Sequence, residues 1–287
     1  MTTDALVEGV HFLPGEEANA VAWKALAVNV SDLVGKGARP LAYLMALALP
    51  SAPDASWMRA FAGGLGHAQQ AFGLHLAGGD TDRTPGHLSV SITAFGTVPS
   101  GRAVRRSGAR PGDRIYVSGP IGDATLGLRL ARDPCLAAKW GLDAAGAAAL
   151  LDRFRCPLPR VALVGAVLEH ASASMDVSDG LAKDLARLCR ASRCRAVVNI
   201  VDVGMSAGAR KVVASGGASE VELSTGGEDY EVVCAVPAAC AIAFEAAALS
   251  AGVTCSCIGE MQAGEGLAIG ARDGRPLALD RVGWEHF

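Results

Sequence analysis

The residues of this 287-residue chain whose types and spacing best suit chemistry form one short stretch, Asp176-Val-Ser-Asp-Gly180. Asp176 and Ser178 are two apart at the end of an expected strand, so they point to one face, and Asp179 follows at the turn. Leucines then recur at helical spacing, which predicts a junction of strand and helix. Such a junction can offer oxygen ligands to a hard cation and backbone N–H groups to a phosphate. The competing interpretation is that Asp179 only caps the helix.

Further oxygen-bearing residues lie at comparable corners of the chain. Thr2, Thr3 and Asp4 present three such side chains in a row, which suits magnesium. Asp32 falls within an apolar helical pattern, where an unpaired carboxylate costs on the order of several kcal/mol, unless the side chain faces water. Glu228 follows two glycines at another turn. Clustered carboxylates repel one another unless divalent cations neutralise them, so these corners together favour a metal site.

A phosphate-binding role is suggested by Gly78-Gly-Asp80 and by Arg106. The glycines allow the backbone to approach a phosphate closely and Asp80 can hold a bridging cation, although the same residues also make an ordinary tight turn. An arginine fork suits phosphate, although arginines in a loop such as 99–110 are usually solvated. A site of clustered carboxylates suits a nucleotide polyphosphate bound through magnesium. Walker A and protein-kinase motifs are absent from the sequence, so the common phosphate-binding loops are excluded.

The elements that must position these residues alternate between strands and helices. We expect strands near residues 2–12, 41–49, 74–77, 88–98, 113–119, 171–176, 196–201 and 231–236, and helices near residues 20–37, 57–72, 122–130, 143–154, 160–171, 181–188 and 237–251. Gly78 to Asp82 is expected to be a turn. This pattern predicts an α+β fold with an N-terminal ATP- and metal-binding domain, residues 1–108, and a C-terminal α/β domain, residues 109–287.

Composition excludes several classes of protein. Apolar residues make up 51% of the chain and charged residues 19%, which indicates a globular fold rather than disorder. The net charge of −3, without a basic block, argues against nucleic acid as the main partner. We expect no membrane span, because apolar runs are short, and a cytoplasmic location, because no secretion signal is visible at Met1.

Seven motifs, spread in order along the chain, resemble the thiamine-monophosphate kinase family, which belongs to a superfamily with aminoimidazole ribonucleotide synthetase. The motifs are Thr3-Asp-Ala-Leu-Val-Glu-Gly-Val-His-Phe12, Lys24-Ala-Leu-Ala-Val-Asn-Val-Ser-Asp-Leu33, Gly78-Gly-Asp-Thr81, Arg106-Ser-Gly-Ala109, Asp176-Val-Ser-Asp-Gly180, Gly226-Gly-Glu-Asp-Tyr-Glu231 and Gly283-Trp-Glu-His-Phe287.

The resemblance implies ATP-dependent phosphorylation of thiamine monophosphate to thiamine diphosphate, by direct transfer of the γ-phosphoryl group. It also implies an α/β-sandwich fold for each half and a homodimer built through the N-terminal domains. The implied magnesium ligands are Thr2, Thr3, Asp4, Asp32, Asp80, Asp176 and Asp179. The implied ATP contacts are Gly79, Asp80, Arg106 and Ser178, and the implied substrate contacts are His11, Glu228 and Trp284. No side chain need act as a strong base, because the attacking phosphate oxygen is already anionic.

The resemblance also leaves alternatives open. Members of the family normally carry an upstream Gly-x-Gly-Asp-Asp segment that supplies another metal-binding aspartate, whereas here Met1 stands where that strand would already be running. Either the sequence is a truncated reading of a longer gene, or part of the metal site has been lost. The chain would accordingly be the kinase, another ATP-using synthetase of the superfamily, or a catalytically impaired binding homologue.

Overall fold

The computed structural model of the chain describes residues 1–271, 275–277 and 283. These residues form both helices and strands, and the strands make two sheets, which confirms the predicted α+β class. The strands are β1 (Thr2–Val7), β2 (Arg39–Leu49), β3 (His75–Arg83), β4 (Ser89–Thr97), β5 (Arg114–Ser118), β6 (Ala173–Val177), β7 (Arg195–Asn199), β8 (Glu231–Val236), β9 (Cys255–Gln262) and β10 (Gly266–Gly270). The helices are α1 (Ala18–Val34), α2 (Ala55–Phe72), α3 (Asp123–Arg132), α4 (Leu136–Lys139), α5 (Ala144–Arg155), α6 (Val164–His170), α7 (Leu181–Ser192), α8 (Ala207–Ala214), α9 (Glu220–Thr225) and α10 (Ala241–Ser250).

The first sheet has the strand order β1, β4, β2, β3, and only β2 and β3 run parallel. The side chains along each strand point alternately to a covered and an open face, as in other half-buried sheets. In β4, Val90 and Ile92 are buried beneath α1, whereas Ser91 and Thr93 point to the other side. Leu44 of β2 lies opposite Thr93 and is exposed. One face of this sheet is therefore packed against α1 and α2, and the other is open in a single chain.

The course of β3 corrects the prediction of a turn at residues 78–82. The strand runs without a break through this segment as the parallel neighbour of β2. A Cβ at Gly79 would lie 2.2 Å from the carbonyl oxygen of Met45, so glycine permits the close approach of the two backbones. The two glycines therefore serve strand pairing here, rather than a tight turn.

The second sheet has the order β10, β7, β9, β5, β8, β6 and is covered on both faces around β8. All of β8 is buried. Val233 and Ala235 belong to the apolar cluster that includes residues of α7. Val232 and Cys234 belong to the cluster that includes residues of α1 and α10. The near-continuous apolar sequence of β8 follows from this double burial.

Helix α1 lies between the two sheets. It packs on β1 and β4 of the first sheet and on β6 and β8 of the second, and most of its side chains are buried. A helix that is apolar almost all round belongs in a core. At its C-terminal end, a Cβ at Gly35 would lie 2.7 Å from the backbone nitrogen of Asp176, so glycine allows contact with β6. This contact brings the last turn of α1, with Asp32, beside Asp176.

The remaining predictions have mixed outcomes. The helix expected at residues 160–171 begins as a 3-10 turn, Val161–Leu163, before α6, and the chain pattern did not indicate α8 or α9. One apolar cluster joins both sheets, so the domain division near residue 108 stays a prediction. Across the described part of the chain, no helix combines the length and apolar character needed to cross a membrane.

Candidate functional site

A cavity of about 620 Å³ lies where the edge of the first sheet, the end of α1 and the β6–α7 junction meet. Helix α3 and the turn at residues 226–230 complete its walls. It contains eight of the side chains expected at the site: Asp4, His11, Asp32, Arg106, Asp176, Ser178, Asp179 and Glu228. Residues 4 and 228 are far apart in sequence, so the fold itself assembles this set.

Four carboxylates form what we call the acidic wall of the cavity: Asp4, Asp32, Asp176 and Asp179. Asp176 is buried and shares a hydrogen bond with Asp32. Thr2, on the same face of β1 as Asp4, donates its hydroxyl to Asp32. The backbone N–H of Asp4 donates to the side-chain oxygen of Asn29 at 3.1 Å. Strand β1, helix α1 and strand β6 therefore hold the wall together through direct contacts.

The acidic wall favours either protons or bound cations. Desolvation within the cavity, together with the carboxylates of Asp32 and Asp179, raises the pKa of Asp4 to about 6. Burial, and then the charges of Asp32 and Asp184, raise the pKa of Asp176 well above its ordinary value. Carboxylates that resist ionisation because they crowd one another become fully charged when a divalent ion offsets the repulsion.

The β6–α7 junction is confirmed, but its backbone amides are already bonded. The N–H groups of Ser178 and Asp179 both donate to Asp184, each at 2.9 Å, so the expectation that they face a phosphate is wrong in this conformation. Gly180 occupies the N-cap position of α7 and no side chain caps it. Asp179 instead pairs with Arg187 at 2.6 Å and with Lys183 at 3.4 Å. The alternative that Asp179 merely caps α7 is therefore not supported.

Two of the expected substrate residues, His11 and Glu228, line the cavity. His11 accepts the N–H of Val7 on its Nδ1 atom at 3.0 Å. Glu228 has a positive φ of 75°, and its N–H donates to the carbonyl of Ser178 at 2.7 Å. The turn that carries Glu228 is thus tied directly to the β6–α7 junction. Trp284 lies outside the described residues.

Gly79, Asp80 and Thr3 do not line the cavity of the same chain. Asp4 lies in one row with Ile92, Met45 and Gly79, so Gly79 is three strand spacings, or about 14 Å, from Asp4. Asp80 follows Gly79 and so points to the open face of the sheet. The expectation that every acidic corner meets within one chain is therefore wrong for Asp80.

Thr3 also points to the open face of the first sheet. Its hydroxyl donates to the carbonyl of Ile92 at 3.0 Å and lies 3.1 Å from the hydroxyl of Thr93. Thr2 and Asp4 flank it on the covered face, because successive residues of a strand alternate. The three consecutive oxygen side chains at the start of the chain therefore do not act as one group in this conformation.

Several residues at or behind the cavity were not predicted from the sequence. Arg129 and Arg132 line it from α3, one turn apart. Asp184 is completely buried and holds the β6–α7 junction, and Lys24 is buried behind Glu228. Lys24 carried a usable signal, since a lone charge within the apolar pattern of α1 is the same feature that singled out Asp32.

The donors present suit a magnesium ion that binds together with a nucleotide. Among residues 1–271, 275–277 and 283, no three His, Cys, Asp or Glu side chains are grouped closely enough to hold a metal by themselves. Magnesium, however, is usually bound by one or two protein carboxylates with phosphate oxygens and water. The Asp32–Asp176 pair, with Asp4 and Asp179 in the same wall, fits that requirement.

Comparison with known proteins places the chain in a family. Residues 1–98 match the family described as AIR synthase related protein, N-terminal domain, and residues 110–272 match its C-terminal domain. The thiamine-monophosphate kinase of Caulobacter vibrioides is 43% identical to the chain over 100% of its length and over 80% of that relative. The chain belongs to the thiamine-monophosphate kinase family. The Escherichia coli K12 member is 40% identical and is covered over 86% of its length.

Solved structures of family members share the fold. The thiamine-monophosphate kinase from Stenotrophomonas maltophilia K279a has a TM-score of 0.87 at 35% identity, covering 96% of this chain and 85% of that one. AaThiL complexed with AMPPCP and TMP has a TM-score of 0.85 at 31% identity, covering 100% of this chain and 86% of that one. The two-domain fold expected from the resemblance is thus confirmed.

Proposed function

We propose that the chain transfers the γ-phosphoryl group of ATP to thiamine monophosphate and forms thiamine diphosphate. The observation that carries the proposal is the similarity over the whole chain to AaThiL, a protein solved in complex with AMPPCP, an ATP analogue, and TMP. The acidic wall and Arg106 share one cavity, which supports polyphosphate chemistry there.

The reaction would take place in the cytoplasm, and the eight unpaired cysteines are compatible with a reducing compartment.

Magnesium would be held by the acidic wall, Asp4, Asp32, Asp176 and Asp179, with Thr2 orienting Asp32. When bound, the metal would neutralise the charge of the phosphates. Arg106 and Ser178 would contact ATP, and Arg106 offers a planar fork for phosphate oxygens. His11, Glu228 and Trp284 would contact thiamine monophosphate. The protein's part is to orient the two phosphates, since the attacking oxygen needs no base.

A homodimer built through the first sheet would complete the site. Its open face presents the uncharged residues Leu44, Ala46, Thr93 and Thr3 beside Asp80 and Asp82 of β3. We propose that a second copy covers this face and that Gly79, Asp80 and Thr3 contribute to ATP and magnesium binding only in the dimer. The placement of Asp80 away from the cavity of its own chain supports this arrangement.

The function is tested by incubating the purified chain with Mg²⁺, ATP and thiamine monophosphate and measuring thiamine diphosphate by chromatography. Formation of one ADP per thiamine diphosphate is expected, and Asp176→Asn should abolish it. Parallel reactions contain aminoimidazole precursors in place of thiamine monophosphate. ATP consumption only with those precursors would overturn the proposal in favour of another synthetase. Binding of AMPPCP without any turnover would indicate an impaired homologue.

A further inference from the structure

Lys24 is a buried cation that the proposed reaction does not use directly. It lies in the middle of α1, is 1% exposed and does not line the cavity. Burying an ammonium group is costly unless partners compensate for its lost hydration. Its partners therefore indicate why a lysine stands at this point of an otherwise apolar helix.

Among the described residues, every hydrogen-bond, ion-pair or ring partner of the Lys24 side chain belongs to the wall of the cavity. Its Nζ atom lies 2.5 Å from Oε2 of Glu228 and donates to the carbonyl of His11 at 2.8 Å. The same atom lies 3.9 Å from the centre of the Phe154 ring. His11, Glu228 and Phe154 come from three separate segments, and all three line the cavity. Lys24 thus connects α1 to the part of the cavity proposed to receive thiamine monophosphate.

Glu228 needs such support because its backbone is in an unfavourable conformation. Its φ of 75° lies in the left-handed region, which residues other than glycine rarely adopt. The bond from its N–H to Ser178 fixes the backbone, and Lys24 fixes Oε2. Within the described residues, Oε1 makes no hydrogen bond, and the side chain is partly exposed to the cavity. One carboxylate oxygen is thus held while the other is available to a ligand.

We propose that Lys24 is a positioning residue that sets substrate specificity through Glu228. This inference rests on the proposed function. Lys24 orients the carboxylate of Glu228 so that Oε1 can contact an N–H donor or a cationic ring of the thiamine moiety. Within the described part of the chain, Lys24 makes no hydrogen bond or ion pair with the acidic wall, Arg106 or Ser178, the residues proposed to hold magnesium and ATP. Its loss should therefore weaken binding of thiamine monophosphate and leave binding of ATP unchanged.

The test is steady-state kinetics of Lys24→Met, which keeps an unbranched apolar stem, with each substrate varied in turn. We expect the KM for thiamine monophosphate to rise about tenfold, because a hydrogen bond to a charged group is worth roughly one decade in affinity. The KM for ATP should stay within about twofold. Lys139→Met, at an exposed lysine on α4, is the matched control and should change neither constant.

A double-mutant cycle separates positioning from a general structural role. In the Glu228→Gln background, Lys24→Met should have little further effect on the KM for thiamine monophosphate. Lys24→Arg, which keeps the charge, should recover part of the loss. Equal rises in both KM values, or additive effects of the two substitutions, would overturn the inference. Should Lys24→Met fail to fold in a thermal melt, Lys24→Gln is judged by the same criteria. A wild-type chain without kinase activity would overturn the proposed function instead.

Discussion

At the scale of single residues, the feature that most constrains the site is the contact of two carboxyl groups, Asp32 and Asp176, inside the protein. Asp32 restrains the ionisation of Asp176, and Asp4 and Asp179 add further negative charge nearby. Such a group of acids costs stability at neutral pH in the absence of cations. A divalent cation bound in the cavity would offset this cost.

Asp176→Asn should therefore stabilise the metal-free protein and remove its response to magnesium. The folded-state pKa of Asp176 is raised, so the wild type loses stability as the pH rises above the ordinary range of an aspartate. At pH 8 we expect the metal-free variant to melt about 2–4 °C higher than the wild type, the shift that about 1 kcal/mol produces. Melting curves with and without Mg²⁺ and AMPPCP provide the measurement. An equal thermal response of both proteins to the additives would contradict the metal assignment.

Asp184 should be the most sensitive residue of the β6–α7 junction. It accepts two backbone N–H groups and pairs with Arg187 at 2.7 Å while completely buried. Asp184→Ala leaves these donors unpaired, and we expect a loss of about 3–5 kcal/mol in the free energy of unfolding. Urea denaturation measures this loss. Asp152→Ala, at an exposed aspartate of α5, is the control and should change stability by less than about 0.5 kcal/mol.

At the scale of elements, helix α3 depends on a residue from the turn at 226–230. Asp229 accepts the N–H of Gly122 at 2.9 Å and that of Ala124 at 3.4 Å, at the N-terminus of α3. Its carboxyl group is buried, with Asp123 and Arg153 as its charged neighbours. The same turn thus places Glu228 in the cavity and fixes the helix that brings Arg129 to it.

The buried cap makes stability depend on pH. Burial raises the pKa of Asp229 to about 8, above the ordinary value of 3.8 that applies to the unfolded chain. The folded state therefore binds more protons between these values, and stability falls as the pH rises from about 4 to about 8. Asp229→Asn should flatten this part of the profile, measured as melting temperature against pH. Asp143→Asn, at the exposed cap of α5, should leave the slope unchanged. An unchanged slope in Asp229→Asn would contradict the assignment.

The local sequence was sufficient to predict most helices and strands and most residues of the cavity, but not which strands and residues contact one another. The periodic patterns of α1 and α2 and the alternation in β4 follow from one buried face, so they are readable along the chain. Gly79 could be taken for a turn because its constraint is the carbonyl of Met45 in another strand. Helix α9 is too short for a periodic signal, although Ser219 and Glu222 form a capping box that could have indicated it. The position of Asp80 and the partners of Lys24 depend on tertiary contacts that no local pattern contains.

At the scale of the whole molecule, the open face of the first sheet predicts the oligomeric state. Leu44 is 42% exposed at the centre of this face. Leu44→Glu should convert the proposed homodimer to a monomer, because burying a further unpaired carboxylate at this interface is unfavourable. Light scattering coupled to size-exclusion chromatography measures the mass. Ile242→Glu, on the exposed side of α10, is the control and should remain a dimer. A dimeric Leu44→Glu protein would exclude this face as the interface.

Helix α1 also fixes the distance between the two parts of the proposed site. Lys24 and Asp32 stand eight residues apart on one buried rod, a separation of about 12 Å along its axis. In the proposed reaction, Lys24 would act on the site for the organic part of the acceptor and Asp32 on the phosphates. A rigid helix, rather than a hinged loop, would then set the distance between the two sites. Inserting a single alanine between these residues would turn one end by about 100° relative to the other. Acceptors whose organic part and phosphate are appreciably closer together or farther apart than this separation allows should be poor substrates, even when their organic part binds.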